Sequence, residues 1–169
     1  MKKKSASDLN KIQKIAYDAM MNGENVFLSG AAGTGKSYVL RKFIADMRDS
    51  NANIIVCAPT GIAAINIGGS TIDRVFGFSV EPIPFSKPYR GPAPEALTNA
   101  DIIVIDEISI CRADLFERCA KAIRWAEKKT GQNKQIIIVG DFHQLPPVLR
   151  DADKYVLPEL DKGTGYGLS

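Results

Sequence analysis

The sequence predicts an α/β domain in which helices cover both faces of a parallel β-sheet. Four short apolar runs, typical of buried strands, begin at Asn25, Asn53, Asp101 and Gln135. Segments with apolar residues at helical spacing separate these runs, so strands and helices alternate along the chain. The 169 residues and the hydrophobic content of 45% fit one globular domain that is long enough to bury a core.

The elements follow in order from the amino terminus. Helical spacing of apolar residues predicts a first helix from Leu9 to Met20, with Ser5 and Asp8 as its capping box. The pattern then predicts a strand over 25–30, a helix with its apolar stripe over 39–47 and a strand over 53–59. Two short helices broken at Gly68 and Gly69 follow, and then a loop with five prolines over 79–94. The last predicted elements are a strand over 101–107, a helix over 115–126 capped by Asp114, and a strand over 135–141.

Composition excludes several classes of protein. A net charge of +3 permits nucleic-acid binding without predicting it. The opening "MKKKS" is not followed by an apolar segment, so we expect neither secretion nor a membrane partner. Three cysteines without a Cys-x-x-Cys pair predict buried, reduced thiols. We therefore expect a cytoplasmic protein of a prokaryote or of a virus-infected cell, or a nuclear or mitochondrial protein of a eukaryote.

The segment "GAAGTGKS" has the spacing of a P-loop and lies between a predicted strand and a predicted helix. Its glycines let backbone N–H groups face phosphate oxygens, Lys36 reaches the β- and γ-phosphates, and the Ser37 hydroxyl is a Mg²⁺ ligand. The alternative is a glycine-rich turn that happens to precede a helix. The residues predicted to bind ATP are Gly30, Ala31, Ala32, Gly33, Thr34, Gly35, Lys36 and Ser37.

A second strand, "DIIVIDE", ends in two acids. Asp106 can hold Mg²⁺ through its water shell, and Glu107 can orient or deprotonate an attacking water. Alone, such a strand end is ordinary, but ligands of parallel sheets bind at the carboxyl ends of the strands, where the P-loop also lies. Asp101 is at the opposite end of the strand and is interpreted as structural.

The last strand leads into "VGDFHQLPPV". Asp141 and His143 do not predict a metal site, because His143 is the chain's single histidine and no second soft ligand lies nearby. His143 is interpreted as a groove or surface residue. Asp141 is interpreted as a hydrogen-bonding residue near the Mg²⁺ ligands.

Four segments, "GAAGTGKS", "APTGIAAINIGGSTI", "VIDEIS" and "GDFHQLPPV", occur in the order and at about the spacing of the first motifs of superfamily 1 helicases. The chain resembles the RecD-like branch and, within it, the petite integration frequency (Pif) family. The resemblance extends from Leu9 to Val148. It implies a RecA-like P-loop NTPase lobe of an ATP-dependent DNA helicase, which moves 5′-to-3′ on single-stranded DNA and unwinds duplex.

The resemblance also implies roles for individual residues. Gln144 is the sensor that reaches the γ-phosphate, so the implied catalytic residues are Lys36, Glu107 and Gln144. Gln13 reads the adenine ring with its amide; the alternative is a solvated glutamine on a helix.

The segment that closes the second strand grips the backbone of single-stranded DNA in the family. The implied DNA-binding residues are Pro59, Thr60, Gly61, Ser70 and Thr71. The sequence departs from the family at Asp73, where histidine is frequent. A carboxylate repels phosphate, and Arg74 could compensate.

The Pro-rich segment over 79–95 resembles the small wedge subdomain of related helicases. Phe85 and Tyr89 are its implied DNA-binding residues, because aromatic rings interleaved with Lys87 and Arg90 suit base stacking and backbone charge. The alternative is a surface loop with ordinary aromatic residues.

Helicases of this kind need two RecA-like lobes, of which the second brings arginines to the γ-phosphate. We interpret residues 1–169 as one lobe and expect the second lobe to be absent from this chain, which is either part of a longer protein or a shortened relative. The expected partners are single-stranded and forked DNA and the missing lobe. Two other functions stay open: a different P-loop ATPase, such as a clamp-loader-like ATPase or a small kinase, and a nucleic-acid-binding module with a vestigial nucleotide site.

Overall fold

The computed structural model describes residues 9–78 and 94–141. These residues form one five-stranded sheet, six α-helices and a short 3-10 turn at Ile108–Ile110. The strands are β1 Val26–Ser29, β2 Ile54–Ala58, β3 Ser70–Thr71, β4 Ile102–Ile105 and β5 Gln135–Gly140. The helices are α1 Lys11–Met21, α2 Lys36–Asp49, α3 Gly61–Ile67, α4 Ile72–Phe76, α5 Glu95–Asn99 and α6 Ala113–Thr130.

The strand order is β1-β5-β4-β2-β3, and every neighbouring pair is parallel. The predicted parallel sheet is therefore confirmed. Because all strands run in one direction, the segments that follow β1, β2, β4 and β5 leave the sheet at the same edge. The P-loop segment and the two acids of "DIIVIDE" lie at this edge.

Both faces of the sheet are covered by helices. On β4, Ile103 and Ile105 pack into a core with α4, α5 and α6. Ile102 and Val104 face the other way and pack with α1 and α2. All four residues of β4 are buried, which explains why this strand is a continuous apolar run rather than an alternating one.

Two predicted helix caps differ from the structure. Helix α1 begins at Lys11 with Asn10 as its N-cap, and the predicted cap residues Ser5 and Asp8 lie outside the described residues. The prediction for α6 is wrong: Arg112 is at the N-cap position, and Asp114 lies in the first turn. The Asp114 carboxylate is buried and accepts two hydrogen bonds of 2.9 Å from the guanidinium of Arg112.

The cysteines are buried and unpaired, as predicted. Burial raises the pKa of all three thiols, so each stays protonated at neutral pH. Across residues 9–78 and 94–141, no helix is long and apolar enough to cross a membrane.

Candidate nucleotide-binding site

The P-loop connects the end of β1 to the start of α2. Gly35 is the N-cap of α2 and has a φ of 87°, in the left-handed region that favours glycine. A Cβ atom at this position would lie 2.3 Å from Nε2 of Gln13. The left-handed turn into α2 therefore favours glycine at this position, and a side chain here would also displace the amide of Gln13.

Lys36 lies within this loop. Its Nζ donates hydrogen bonds to the carbonyl oxygens of Gly30 and Ala31. The hydroxyl of Thr34 donates to the same Ala31 oxygen at 2.9 Å, which closes the loop on itself. The one flexible cation of the motif is thus held beside the backbone that the sequence predicts to surround phosphates.

The two acids that follow β4 have different environments. Asp106 is buried, and its Oδ1 accepts a hydrogen bond of 2.9 Å from the backbone N–H of Glu107. Glu107 has a φ of 54° and shares this left-handed conformation with one other non-glycine residue of the described chain, Asn51. Such a backbone is uncommon outside glycine and is held here by the bond to Asp106.

Burial raises the pKa of Asp106 above its ordinary value, and the charge of Glu107 acts in the same direction. The N–H of Glu107 and the positive charges of Arg41 and Lys36 lower it in part. A carboxylate that is short of solvation is stabilised by a cation placed beside it. The site therefore favours a positively charged ligand at Asp106.

One cavity of about 310 Å³ brings together four residues that the sequence predicts to act on ATP: Lys36, Ser37, Asp106 and Glu107. Hydroxyl and carboxylate oxygens are the donors that Mg²⁺ prefers, and Mg²⁺ usually takes few protein ligands and completes its shell with water and phosphate. Within the described residues no three His, Cys, Asp or Glu side chains cluster to form a complete metal site. The donor set thus fits Mg²⁺ bound together with a nucleotide.

The side chain of Gln13 joins the start of α1 to the P-loop. Its Oε1 accepts from the N–H of Asn10 at 3.0 Å, and its Nε2 donates to the Thr34 carbonyl at 3.2 Å. It also lines a second cavity of about 370 Å³ with Ala16 and Leu28. The sequence analysis missed these contacts, although the Asn-x-x-Gln spacing of "NKIQ" is the pattern of a capping box.

The residues predicted to contact DNA lie beyond the end of β2. Pro59 and Thr60 follow β2 directly, and Thr71 pairs with Ala58 in the neighbouring strand, so the sheet brings both threonines to one edge. Each threonine is an N-cap: Thr60 Oγ1 accepts from Ala63 N–H at 3.3 Å, and Thr71 Oγ1 from Arg74 N–H at 3.4 Å.

Gly61 begins α3, and Ser70 lies in β3. Asp73 lies in the first turn of α4; burial raises its pKa, and the positive charges of Arg118 and Arg112 lower it. The positive charges of these two arginines therefore offset part of the negative charge of Asp73. Phe85 and Tyr89 lie outside the described residues.

The end of β5 is joined to the turn that follows Glu107. Ser109 is fully buried, and its hydroxyl accepts from the N–H of buried Asp141 at 3.4 Å. A Cβ atom on Gly140 would lie 2.6 Å from Ile108 Cγ2, so glycine permits this packing. Asp141 thus lies against the turn that carries the acids, while His143 and Gln144 lie outside the described residues.

Sequence reasoning missed Arg41. This residue lines a groove of about 450 Å³ together with Ser37, Glu107 and Thr60. Its spacing of four residues from Ser37 on α2 places both on one helix face, and this was the available signal.

Comparison with known proteins gives the family. A family model described as PIF1-like helicase matches residues 8–158. The chain is similar to the human ATP-dependent DNA helicase PIF1, with 36% identity over 149 residues, 84% of this chain and 23% of the human protein. It is also similar to ATP-dependent DNA helicase Pif1 of Campylobacter jejuni, with 35% identity over 84% of this chain and 32% of that protein.

Solved structures confirm the predicted RecA-like fold. A Bacteroides Pif1 helicase in complex with ADP-AlF3 and single-stranded DNA has a TM-score of 0.73 and 32% identity over 88% of this chain and 35% of that chain. A structure of two coordinating Pif1 helicases at forked double-stranded DNA has a TM-score of 0.74 and 32% identity over 92% of this chain and 38% of that chain. This chain thus spans about a quarter to a third of the two curated relatives. With a family match over most of its length, the chain belongs to the PIF1-like helicase family.

Proposed function

We propose that the chain is the ATP-binding lobe of an ATP-dependent DNA helicase that moves 5′-to-3′ on single-stranded DNA and unwinds duplex. The observation that carries this proposal is the cavity that joins Lys36, Ser37, Asp106 and Glu107 at the carboxyl edge of the sheet. The names of the relatives, ATP-dependent DNA helicases, support it. The family match argues against a clamp-loader-like ATPase or a small kinase.

We propose a task for each of these residues, which the geometry of the cavity supports. The backbone of the loop and the ammonium of Lys36 bind the phosphates, and Ser37 and Asp106 hold Mg²⁺. When bound, the metal supplies positive charge to the phosphate oxygens as the γ-phosphoryl group is transferred. Glu107 orients the attacking water and takes its proton. Gln144, which lies outside the described residues, remains proposed as the γ-phosphate sensor on the family resemblance.

The remaining alternative is a nucleic-acid-binding module with a vestigial nucleotide site. Titration of the folded chain with fluorescent Mg·ADP separates the two, because every group assigned to the β-phosphate belongs to this chain. Saturable binding supports the ATP-binding lobe. A folded sample that binds no nucleotide would favour the vestigial site.

Gln13 is proposed to read the adenine ring. An amide has two donor hydrogens and two acceptor lone pairs, and the contacts with Asn10 and Thr34 use one of each. One donor and one lone pair thus remain for the base edge. The cavity beside Gln13 is lined by apolar side chains such as Leu28 and Val39, which suits a flat ring.

Gln13→Ala is expected to lower the affinity for ATP more than that for GTP, because only adenine presents the matching donor and acceptor. Gln13→Glu is the informative companion, since a carboxylate keeps the acceptor for Asn10 but loses the donor. Both affinities can be measured by competition against one fluorescent nucleotide. Equal losses for ATP and GTP would assign Gln13 to holding the P-loop alone.

Single-stranded and forked DNA are the proposed partners. Thr60 uses its oxygen to accept the N–H of Ala63, which leaves the hydroxyl proton free to donate to a phosphate. Thr71 has the same geometry at α4. The wedge role of Phe85 and Tyr89 rests on the resemblance, since neither residue is among those described.

The chain is expected to bind single-stranded DNA weakly. The logarithm of its binding constant should fall with the logarithm of the salt concentration with a slope of about −1.4 to −2.1, which corresponds to two or three phosphate contacts.

Thr60→Asp should weaken this binding to DNA by at least about tenfold, because like charges in contact cost several kcal/mol. Aspartate is also a good N-cap, so α3 is preserved. Thr60→Ser keeps both cap and hydroxyl and should bind within about twofold of wild type. Fluorescence anisotropy of a labelled oligothymidine measures the affinities of the wild-type chain and of both variants. If binding of the wild-type chain did not depend on the salt concentration, contacts to the DNA backbone would be contradicted.

A further inference from the structure

Arg41 lies between the nucleotide site and helix α3. It follows Ser37 by one turn of α2, the helix that begins in the P-loop. Its Nη2 donates a hydrogen bond of 3.1 Å to the carbonyl oxygen of Asn66, at the end of α3. Arg41 therefore connects the helix that follows the P-loop to α3, the helix that Thr60 caps.

A second arginine makes a parallel contact. Arg48 Nη2 donates to the carbonyl oxygen of Gly68 at 3.1 Å. The two arginines are seven residues apart on α2, which is two helical turns, so both lie on one face. The carbonyls at a helix carboxyl end lack partners within the helix and favour nearby cations. Both arginines thus stabilise the same end of α3.

The two arginines differ in their distance from the nucleotide site. Arg41 lines the groove of about 450 Å³ together with Asp106, Glu107 and Asn66. Arg48 does not line this groove. The guanidinium of Arg41 is therefore attracted by the charge of Asp106 as well as by the carbonyl oxygen of Asn66.

We propose that Arg41 is a positioning residue that couples occupancy of the nucleotide site to the attachment of α3. The proposal rests on the proposed function, because it takes the cavity at Ser37 and Asp106 as the site of Mg-nucleotide. Mg²⁺ at Asp106 would offset the pull of this carboxylate on the guanidinium, while Lys36 and the backbone of the P-loop take up the negative charge of the phosphates. The hydrogen bond from Arg41 to Asn66 then strengthens, and α3 opens less often.

Hydrogen–deuterium exchange of the amides of residues 61–68, followed by mass spectrometry of the whole chain, tests this coupling. In wild type, saturating Mg·ADP is expected to slow exchange in α3 by about fivefold, at the low end of typical coupling between sites. Arg41→Gln should abolish the slowing. Arg48→Gln is the matched control: it removes the parallel contact of an exposed arginine, speeds exchange in α3 without nucleotide, and keeps the nucleotide-dependent slowing.

Affinity for Mg·ADP is measured on the same samples, so that failures can be told apart. A wild-type chain that binds nucleotide without any change in α3 exchange overturns the coupling alone. Equal loss of the nucleotide effect in Arg41→Gln and Arg48→Gln also overturns it, because both arginines would then be simple structural contacts. A wild-type chain that binds no nucleotide overturns the proposed function and the coupling with it.

Discussion

Lys36→Ala is expected to lower the affinity of the chain for Mg·ADP by about tenfold to a hundredfold. Hydrogen bonds to charged groups contribute about 1.5–3 kcal/mol, and about 1.4 kcal/mol corresponds to a tenfold change in affinity. Lys36 is the cation that the P-loop itself supplies, and its Nζ lies beside the carbonyls of Gly30 and Ala31. Titration with a fluorescent ADP analogue at fixed Mg²⁺ measures the loss.

Lys128→Ala is the matched control for the change in net charge. Lys128 is exposed in the last turn of α6, and β5 begins shortly after this helix ends, so Lys128 lies at the opposite edge of the sheet. Its removal should leave nucleotide affinity within about twofold, since a charge more than a Debye length away is largely screened. Equal losses in both variants would show a net-charge effect, and unchanged affinity in a folded Lys36→Ala variant would place the phosphates elsewhere.

The parts of this molecule that sequence predicts best are those whose physical requirement is local. A strand buried on both faces must be apolar throughout, so Ile102 to Ile105 predict β4 in a parallel sheet. A P-loop needs its glycines, Lys36 and Ser37 within eight residues, and the following helix completes the pattern. The two acids after β4 could be assigned because parallel strands deliver their carboxyl ends to one edge.

The parts that sequence did not predict depend on distant pairs. Arg41 donates a hydrogen bond to the carbonyl oxygen of Asn66, 25 residues further along the chain, and Gln13 donates one to the carbonyl oxygen of Thr34, 21 residues further along. Neither contact leaves a periodic pattern. The two-residue strand β3 is too short for alternation to appear, and its pairing with Ala58 comes from the sheet itself. Asp114 was assigned as a cap from its residue type, but the bidentate contact with Arg112 competes for its carboxylate.

By itself, the 169-residue chain is expected to bind Mg·ATP and to hydrolyse it slowly, roughly a thousandfold or more below a two-lobed relative. Asp106 and Glu107 lie in the phosphate cavity, so a metal site and a base are in place. The family resemblance assigns the arginines that neutralise the γ-phosphoryl group to a second lobe. An arginine finger raises turnover by about 10³–10⁵. Unwinding should be undetectable, because stepping needs two lobes that grip the strand in turn.

The measurement is steady-state ATP hydrolysis by this chain and by a longer PIF1-like helicase, each with and without single-stranded DNA. Glu107→Gln sets the baseline, because it keeps the shape of the site and removes the base. Fast, DNA-stimulated hydrolysis by the chain alone would contradict the prediction. The positive charge that neutralises the γ-phosphoryl group would then have one of two sources. A second copy of the chain would make the rate per molecule rise with protein concentration. Arg41, which already lines the groove beside Glu107, would instead give a rate independent of concentration that Arg41→Gln abolishes.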